Sequence, residues 1–188
     1  MLYRIYILFV SIILSNEYDQ NLLMKIYDKF SLDTTLVPKY NIIKEEEKLV
    51  YVGDDIYGRK SMMEEEASVY WGKLDSAAKA NNIELLIVST YRSYSYQANI
   101  IKKKIDSGML LKDILKENKL PGESEHHTGK AIDLTSLKLK TLSERFEKTE
   151  EYKWLINNAH LYNFYLSYPK KNDDVIKFEP WHWYYKKN

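Results

Sequence analysis

The chain has 188 residues, and its 28 Lys+Arg against 27 Asp+Glu leave a formal net charge of only +1. That length can bury a core without covalent help, and the near-neutral balance argues against a polycation for nucleic acid or an anionic membrane surface. Cysteine is absent, which excludes disulfides, thiolate metal sites, a cysteine nucleophile and lipidation on an N-terminal Cys. Any metal site must draw on His, Asp or Glu. Seventeen tyrosines and four tryptophans suit a groove for polar, partly apolar ligands, although core packing is the plainer use of most of them.

In chain order, Arg4 precedes a ten-residue apolar run, Ile5 to Leu14, and polar Asn16-Glu17 follow. Ten residues cannot span a bilayer core of about 30 Å as a helix, but they match the apolar region of a secretory signal peptide. Residues 1–15 are therefore expected to be an export signal or, if retained, a membrane attachment, with the protein at the cell surface, in the wall or outside the cell. A buried strand or helix is the competing reading. Residues 16–60, punctuated by Pro38, Gly53 and Gly58, are expected to form an extended lead-in, with Glu45-Glu46-Glu47 as a solvated face. No repeat or low-complexity linker follows, so residues 61–188 are expected to form one domain.

A helix is predicted over 62–81, with Ser61 and Glu64 as a capping box and Ala67, Tyr70, Trp71, Leu74 and Ala78 as its apolar stripe. Residues 83–88 read as a buried strand by their β-branched content. Polar Ser89-Thr90-Tyr91-Arg92-Ser93 follows at the strand's end, where loops commonly carry function. Further helices are predicted over 95–107 and 111–118, then a short strand over 131–135 and a helix over 150–160. Two closing strands, 164–168 and 176–185, flank a turn-rich segment. Helices first and a small antiparallel sheet late predict an α+β single domain with helices flanking the sheet.

Three of the four histidines fall in two polar-aromatic clusters. The first is Ser124-Glu125-His126-His127-Thr128-Gly129-Lys130-Ala131-Ile132-Asp133. Gly129 permits a sharp turn, and Asp133 interrupts an apolar strand, where a carboxylate is costly unless paired or bound to metal. Alone, Asp133 would more simply cap a turn or pair with a lysine. The second cluster, Phe178-Glu179-Pro180-Trp181-His182-Trp183-Tyr184, sets a carboxylate and an imidazole three residues apart, with Pro180 keeping the segment out of a helix interior. Alone, His182 would more simply be a satisfied core histidine. Together, His, Asp and His form a cysteine-free zinc set that leaves a fourth position for water, and Glu179 stands where a general base is needed. Arg92 is one of only four arginines in a lysine-rich chain, which suggests a planar, bidentate partner. A structural ion pair is the alternative.

Three segments now carry a resemblance: Ser89-Thr-Tyr-Arg-Ser-Tyr94 with Gln97, Pro121-Gly-Glu-Ser-Glu-His-His-Thr-Gly-Lys-Ala-Ile-Asp133, and Glu179-Pro-Trp-His182. In order and spacing they resemble the VanY-type D-alanyl-D-alanine carboxypeptidases, relatives of D-Ala-D-Ala dipeptidases, L,D-carboxypeptidases and phage endolysins. The resemblance runs from about Leu32 to Tyr185. It implies zinc on His126, Asp133 and His182, Glu179 as catalytic base, and Arg92 as stabiliser of the reacting carbonyl. Gln97, Ser124 and Trp181 fall where the family lines its substrate groove. His127 and His160 are left without a metal role. The chain departs from the family at Thr90 (usually Gly), Ser167 (usually Arg) and Tyr184 (usually Arg).

The reaction so implied is zinc-dependent hydrolysis of the terminal D-alanine from peptidoglycan stem peptides. The same apparatus serves an L,D-carboxypeptidase on tetrapeptide stems or an endolysin-type peptidase. A non-catalytic zinc or wall-binding module is the alternative from another class, and it has no need of Glu179.

Overall fold

A computed structural model describes residues 17–171 and 175–187. The N-terminal apolar run expected to direct export lies outside the described residues, and among these no helix is long and apolar enough to cross a membrane. The fold is α+β, as expected, and its contacts gather into two compact units. Among the described residues, one comprises 17–44 together with Ser93–Ser124, and the other comprises Glu45–Arg92 with 125–171 and 175–187.

In the first unit, residues 17–29 form helix α1, where an extended lead-in was expected. Leu23, Ile26 and Tyr27 recur at helical spacing and are buried, and this stripe outweighs the polar residues between them. The unit also contains α3 (Tyr94–Asp106), capped by Ser93, and a single turn, α4 (Leu111–Ile114), where a longer helix was predicted. Its core joins Leu23, Tyr27, Tyr94, Ala98, Ile101 and Ile114. Gly122 has φ +90°, and a Cβ there would meet Leu23 and Pro38 at 2.8 and 3.0 Å.

The second unit begins with an antiparallel hairpin, β1 (Leu49–Asp54) and β2 (Lys60–Glu64). Helix α2 (Glu65–Ala80) follows directly, so the predicted Ser61 capping box is incorrect. Ser61 is a buried strand residue, and Glu64 is the N-cap, accepting from the Ala67 amide. The period-two burial of Ser61 and Met63 in β2 is the strand signal that the helical stripe downstream obscured.

Four antiparallel strands form the main sheet, in the order β3 (Leu86–Ser89), β4 (Ala131–Thr135), β6 (His182–Tyr185), β5 (Phe164–Leu166). The last strand is shorter than predicted, because residues 180–181 are a turn. Helix α5 (Glu150–Asn158) precedes a 3₁₀ turn, Ala159–Tyr162.

Strand β4 is central and wholly buried. Side chains alternate between faces along a strand, so Ile132 and Leu134 enter the core with Trp71, Leu74, Phe146, Leu155 and Trp183. Each aliphatic side chain buried this way contributes roughly 1.5–3 kcal/mol. Ala131, Asp133 and Thr135 take the other face. Directly opposed residues share a face. The pairing of Ile132 with Trp183 and of Asp133 with His182 therefore sends one pair into the core and the other away from it.

Candidate metal centre

Three local structures converge on Asp133. The 3₁₀ turn Glu125–Thr128 delivers His126. It is held by the Thr128 hydroxyl, which donates to the Glu125 carbonyl at 2.6 Å and accepts from the Lys130 amide at 3.1 Å. Gly129, at φ +67°, then reverses the chain into β4, and its carbonyl accepts from the Glu64 amide at 2.9 Å. The third contribution is the turn before β6. The His182 amide donates to the Glu179 carbonyl at 3.2 Å, which makes Glu179-Pro-Trp-His182 a hydrogen-bonded β-turn with proline at its favoured second position. The Glu-x-x-His spacing thus places both functional side chains at the two ends of one turn.

His126, Asp133 and His182 are all buried, and one potential ligand atom from each lies within 4.8 Å of the others. His126 Nε2 lies 3.2 Å from Asp133 Oδ2, and His182 Nδ1 lies 2.9 Å from Asp133 Oδ1. Arg92 reaches the same carboxylate through Nη2 at 3.4 Å. Glu179 is buried, with Oε2 at 3.9 Å from His182 Nδ1. Tyr168 packs on the His182 ring at a centroid distance of 5.0 Å.

Burial, reinforced by the Arg92 charge, pushes the His126 imidazole down to about 4 despite Asp133. His126 is therefore neutral at pH 7. Its Nδ1 lies 2.5 Å from the Thr90 carbonyl, which can only accept, so the neutral tautomer carries its proton there. The Nε2 lone pair is then directed at a carboxylate oxygen. Burial opposes ionisation of Asp133, but the charges and hydrogen bonds of His126 and His182 outweigh it and hold the carboxyl below its usual range. Burial likewise disfavours the His182 cation, and hydrogen bonds to Asp133 and Glu125 reverse that effect, raising it to about 10.

An imidazole lone pair and a carboxylate facing one another at 3.2 Å repel, and a cation between them relieves this. The donor set therefore fits a metal. Two imidazoles and one carboxylate, with no thiolate, suit zinc, and three protein ligands leave the open position typical of hydrolytic sites.

The structure brings together His126, Asp133, His182, Glu179 and Arg92. Trp181 belongs to the same unit, and its carbonyl accepts from the Leu134 amide at 3.0 Å. Gln97 and Ser124 belong to the other unit. Gln97 is buried, and its amide donates to the Lys119 carbonyl at 2.6 Å. His127 is buried and neutral, pushed down to about 4 mainly by burial, with Nδ1 at 2.6 Å from the Arg92 carbonyl. The sequence reading missed Glu125. Its Oε2 lies 2.9 Å from His182 Nε2 and accepts from the Ser167 hydroxyl at 2.6 Å. One signal was present: Ser167, a position where the chain departs from the family, is the residue that donates to Glu125.

The fold and the donor set define an α+β protein in which two imidazoles and a carboxylate, all buried, could hold one metal ion beside an antiparallel sheet. The family model described as VanY, D-alanyl-D-alanine carboxypeptidase, matches residues 60–188, and the chain belongs to that family. YodJ of Bacillus subtilis (strain 168), a carboxypeptidase by name, is 38% identical over 130 residues, which is 66% of this chain and 46% of YodJ. The chain thus spans a little under half of that relative's length. Among solved structures, the LdcB LD-carboxypeptidase superposes with a TM-score of 0.67 at 29% identity, covering 82% of this chain and 78% of LdcB. The VanY D,D-pentapeptidase of the VanB-type cassette, a point mutant solved in complex with Zn(II), gives 0.63 at 23% identity, covering 79% and 84%. The latter likeness is one of fold.

Proposed function

We propose that the protein is a zinc-dependent carboxypeptidase that removes the terminal D-alanine from peptidoglycan stem peptides, acting outside the cytoplasmic membrane after export. The observation that carries this reading is the open His126–Asp133–His182 donor set with Glu179 at the far end of the same turn as His182.

His126, Asp133 and His182 would hold the zinc, which when bound supplies Lewis acidity and makes water a usable nucleophile near neutral pH. Glu179 accepts the proton of the attacking water as the new C–O bond forms at the scissile carbonyl. It then returns that proton to the departing amine as the C–N bond breaks. Arg92 offers a fixed positive charge to the oxygen on which negative charge develops. Trp181, in the same unit as the donor set, is assigned to binding the stem. A non-catalytic module has no use for the buried carboxylate of Glu179, which favours the enzyme.

A second reading, L,D-carboxypeptidase action on tetrapeptide stems, is favoured by the higher identity and TM-score to LdcB than to the D,D-pentapeptidase. Incubating the zinc-loaded protein with defined tri-, tetra- and pentapeptide stems and weighing the products by mass spectrometry separates the two. Loss of one D-alanine from the pentapeptide, abolished by chelator, supports the first. Cleavage of the tetrapeptide alone supports the second. No cleavage of any stem with zinc bound would refute both.

A further inference from the structure

Glu125 has no part in the mechanism above, yet its carboxylate meets a ring nitrogen of a proposed metal ligand from outside the donor set. Its Oε2 accepts from Ser167 Oγ at 2.6 Å and lies 2.9 Å from His182 Nε2. The Ser167 contact has the length of a charge-assisted O–H···O⁻ bond. Glu125 also cannot share the metal of the three-ligand set, because it meets the ring nitrogen on the side away from Asp133. His182 presents Nδ1 to Asp133 and Nε2 to Glu125.

That arrangement has a chemical consequence. Carboxylates only accept, so without a metal His182 donates from both ring nitrogens, Nδ1 to Asp133 and Nε2 to Glu125 at 2.9 Å each. A metal held with Asp133 would take the place of the Nδ1 proton, and the Glu125 carboxylate keeps the remaining proton on Nε2, leaving the Nδ1 lone pair for ligation. A ring flip would exchange the two nitrogens. It is opposed by the Glu125 hydrogen bond on one edge and by Tyr168 packed at 5.0 Å on the ring. Ser167 in turn fixes Glu125. Two chain positions far apart in sequence, 42 and 57 residues from Glu125, thus meet on one carboxylate oxygen.

We infer that Glu125, oriented by Ser167, is a positioning residue that selects Nδ1 of His182 as its ligating atom and holds the ring ready for the metal. The inference rests on the zinc reading of the site. Carboxylates that hold a ligating histidine in this way are typically worth about 10–100-fold in metal affinity.

Zinc affinity of the full chain, measured by competition with a chromophoric chelator, tests this together with the imidazole ¹⁵N shifts of the zinc-loaded protein. Wild type should bind one zinc, with His182 ligated through Nδ1 and protonated at Nε2. Glu125→Ala should weaken zinc by about 10–100-fold, and Glu125→Gln, which keeps an acceptor at the same reach, should recover part of the loss. Ser167→Ala removes a single hydroxyl, and its expected loss of zinc affinity, smaller than that of Glu125→Ala, decides the matter should Glu125→Ala fail to fold. Wild-type zinc affinity in a folded Glu125→Ala or in Ser167→Ala would overturn the inference, as would Nε2 ligation of His182 in wild type. Wild-type protein that binds no zinc would instead overturn the metal reading beneath it.

Discussion

Asp133 and His182 are partners in the β4–β6 ladder, and their side chains meet on the same face with Oδ1 and Nδ1 2.9 Å apart. Two of the three potential ligands are therefore fixed by strand register, and a one-residue slip of either strand would turn its own ligand toward the core face and away from the other. The third, His126, comes from a turn anchored to the backbone of Thr90 and Arg92. Replacing His182 by Ala should abolish zinc binding and peptidase activity together while leaving the sheet in place. Metal analysis after dialysis, beside the far-ultraviolet spectrum, checks this. Full zinc occupancy in that variant would refute the ligand set.

Gly129 joins the His126 turn to the Asp133 strand. It has φ +67°, and a Cβ there would lie 2.8 Å from the Glu64 backbone nitrogen. The left-handed conformation alone costs an ordinary residue about 1–2 kcal/mol, and the contact with backbone adds to it because backbone cannot rotate away. Gly129→Ala is thus expected to lower the unfolding midpoint and to loosen zinc, since His126 and Asp133 would no longer be held at their spacing. Thermal unfolding with and without zinc measures both effects. An unchanged midpoint would mean that the turn relaxes without cost.

The metal-free protein should be most stable near pH 6.5. His126 and His127, pushed down to about 4, bind fewer protons folded than unfolded between pH 4 and 6.5, so stability falls as the medium is acidified through that window. Asp133, held below its usual range, adds to the loss at the acid end. His182 has the opposite sign. Raised to about 10, its contribution is full below pH 6.5 and is lost as pH climbs toward 10. Melting temperatures in chelator across pH 4–10 should trace a maximum, and His127→Gln should flatten only its acid limb. A monotonic curve, or a His127→Gln change on the alkaline limb, contradicts these assignments.

Strand β4 was legible to the residue, because a short β-branched run broken by one carboxylate leaves few other structures. The turns around the motif were legible too, since Gly129 and Pro180 each announce a turn that brings a histidine beside Asp133. Other features were not. In Lys60-Ser-Met-Met-Glu64 the strand alternation is only five residues long and adjoins a helical stripe that dominates any longer window. Helix α1 hides Leu23, Ile26 and Tyr27 among charged neighbours. The contact of Glu125 with Ser167 and His182 depends on strands β5 and β6 lying side by side, which no local pattern records.

The roles of Glu179 and Arg92 can be separated from those of the ligands. Glu179 lies 3.9 Å from His182 Nδ1, near enough to serve water at the metal and outside the three-ligand set. Glu179→Gln keeps the shape and reach of the side chain while removing its basicity. It should retain zinc and still bind a stem peptide, with turnover reduced by about a hundredfold or more, the worth of a positioned general base. Arg92→Lys keeps the charge and loses the planar fork. Arg92 also stands 3.4 Å from Asp133, so a shorter reach there should cost some zinc affinity as well as turnover, and partial activity should survive. Zinc content, peptide affinity and single-turnover rates for both variants tell the two roles apart. Near-normal turnover in Glu179→Gln would place the base elsewhere. Loss of zinc in that variant would make Glu179 a ligand and leave the proton transfer without a carrier.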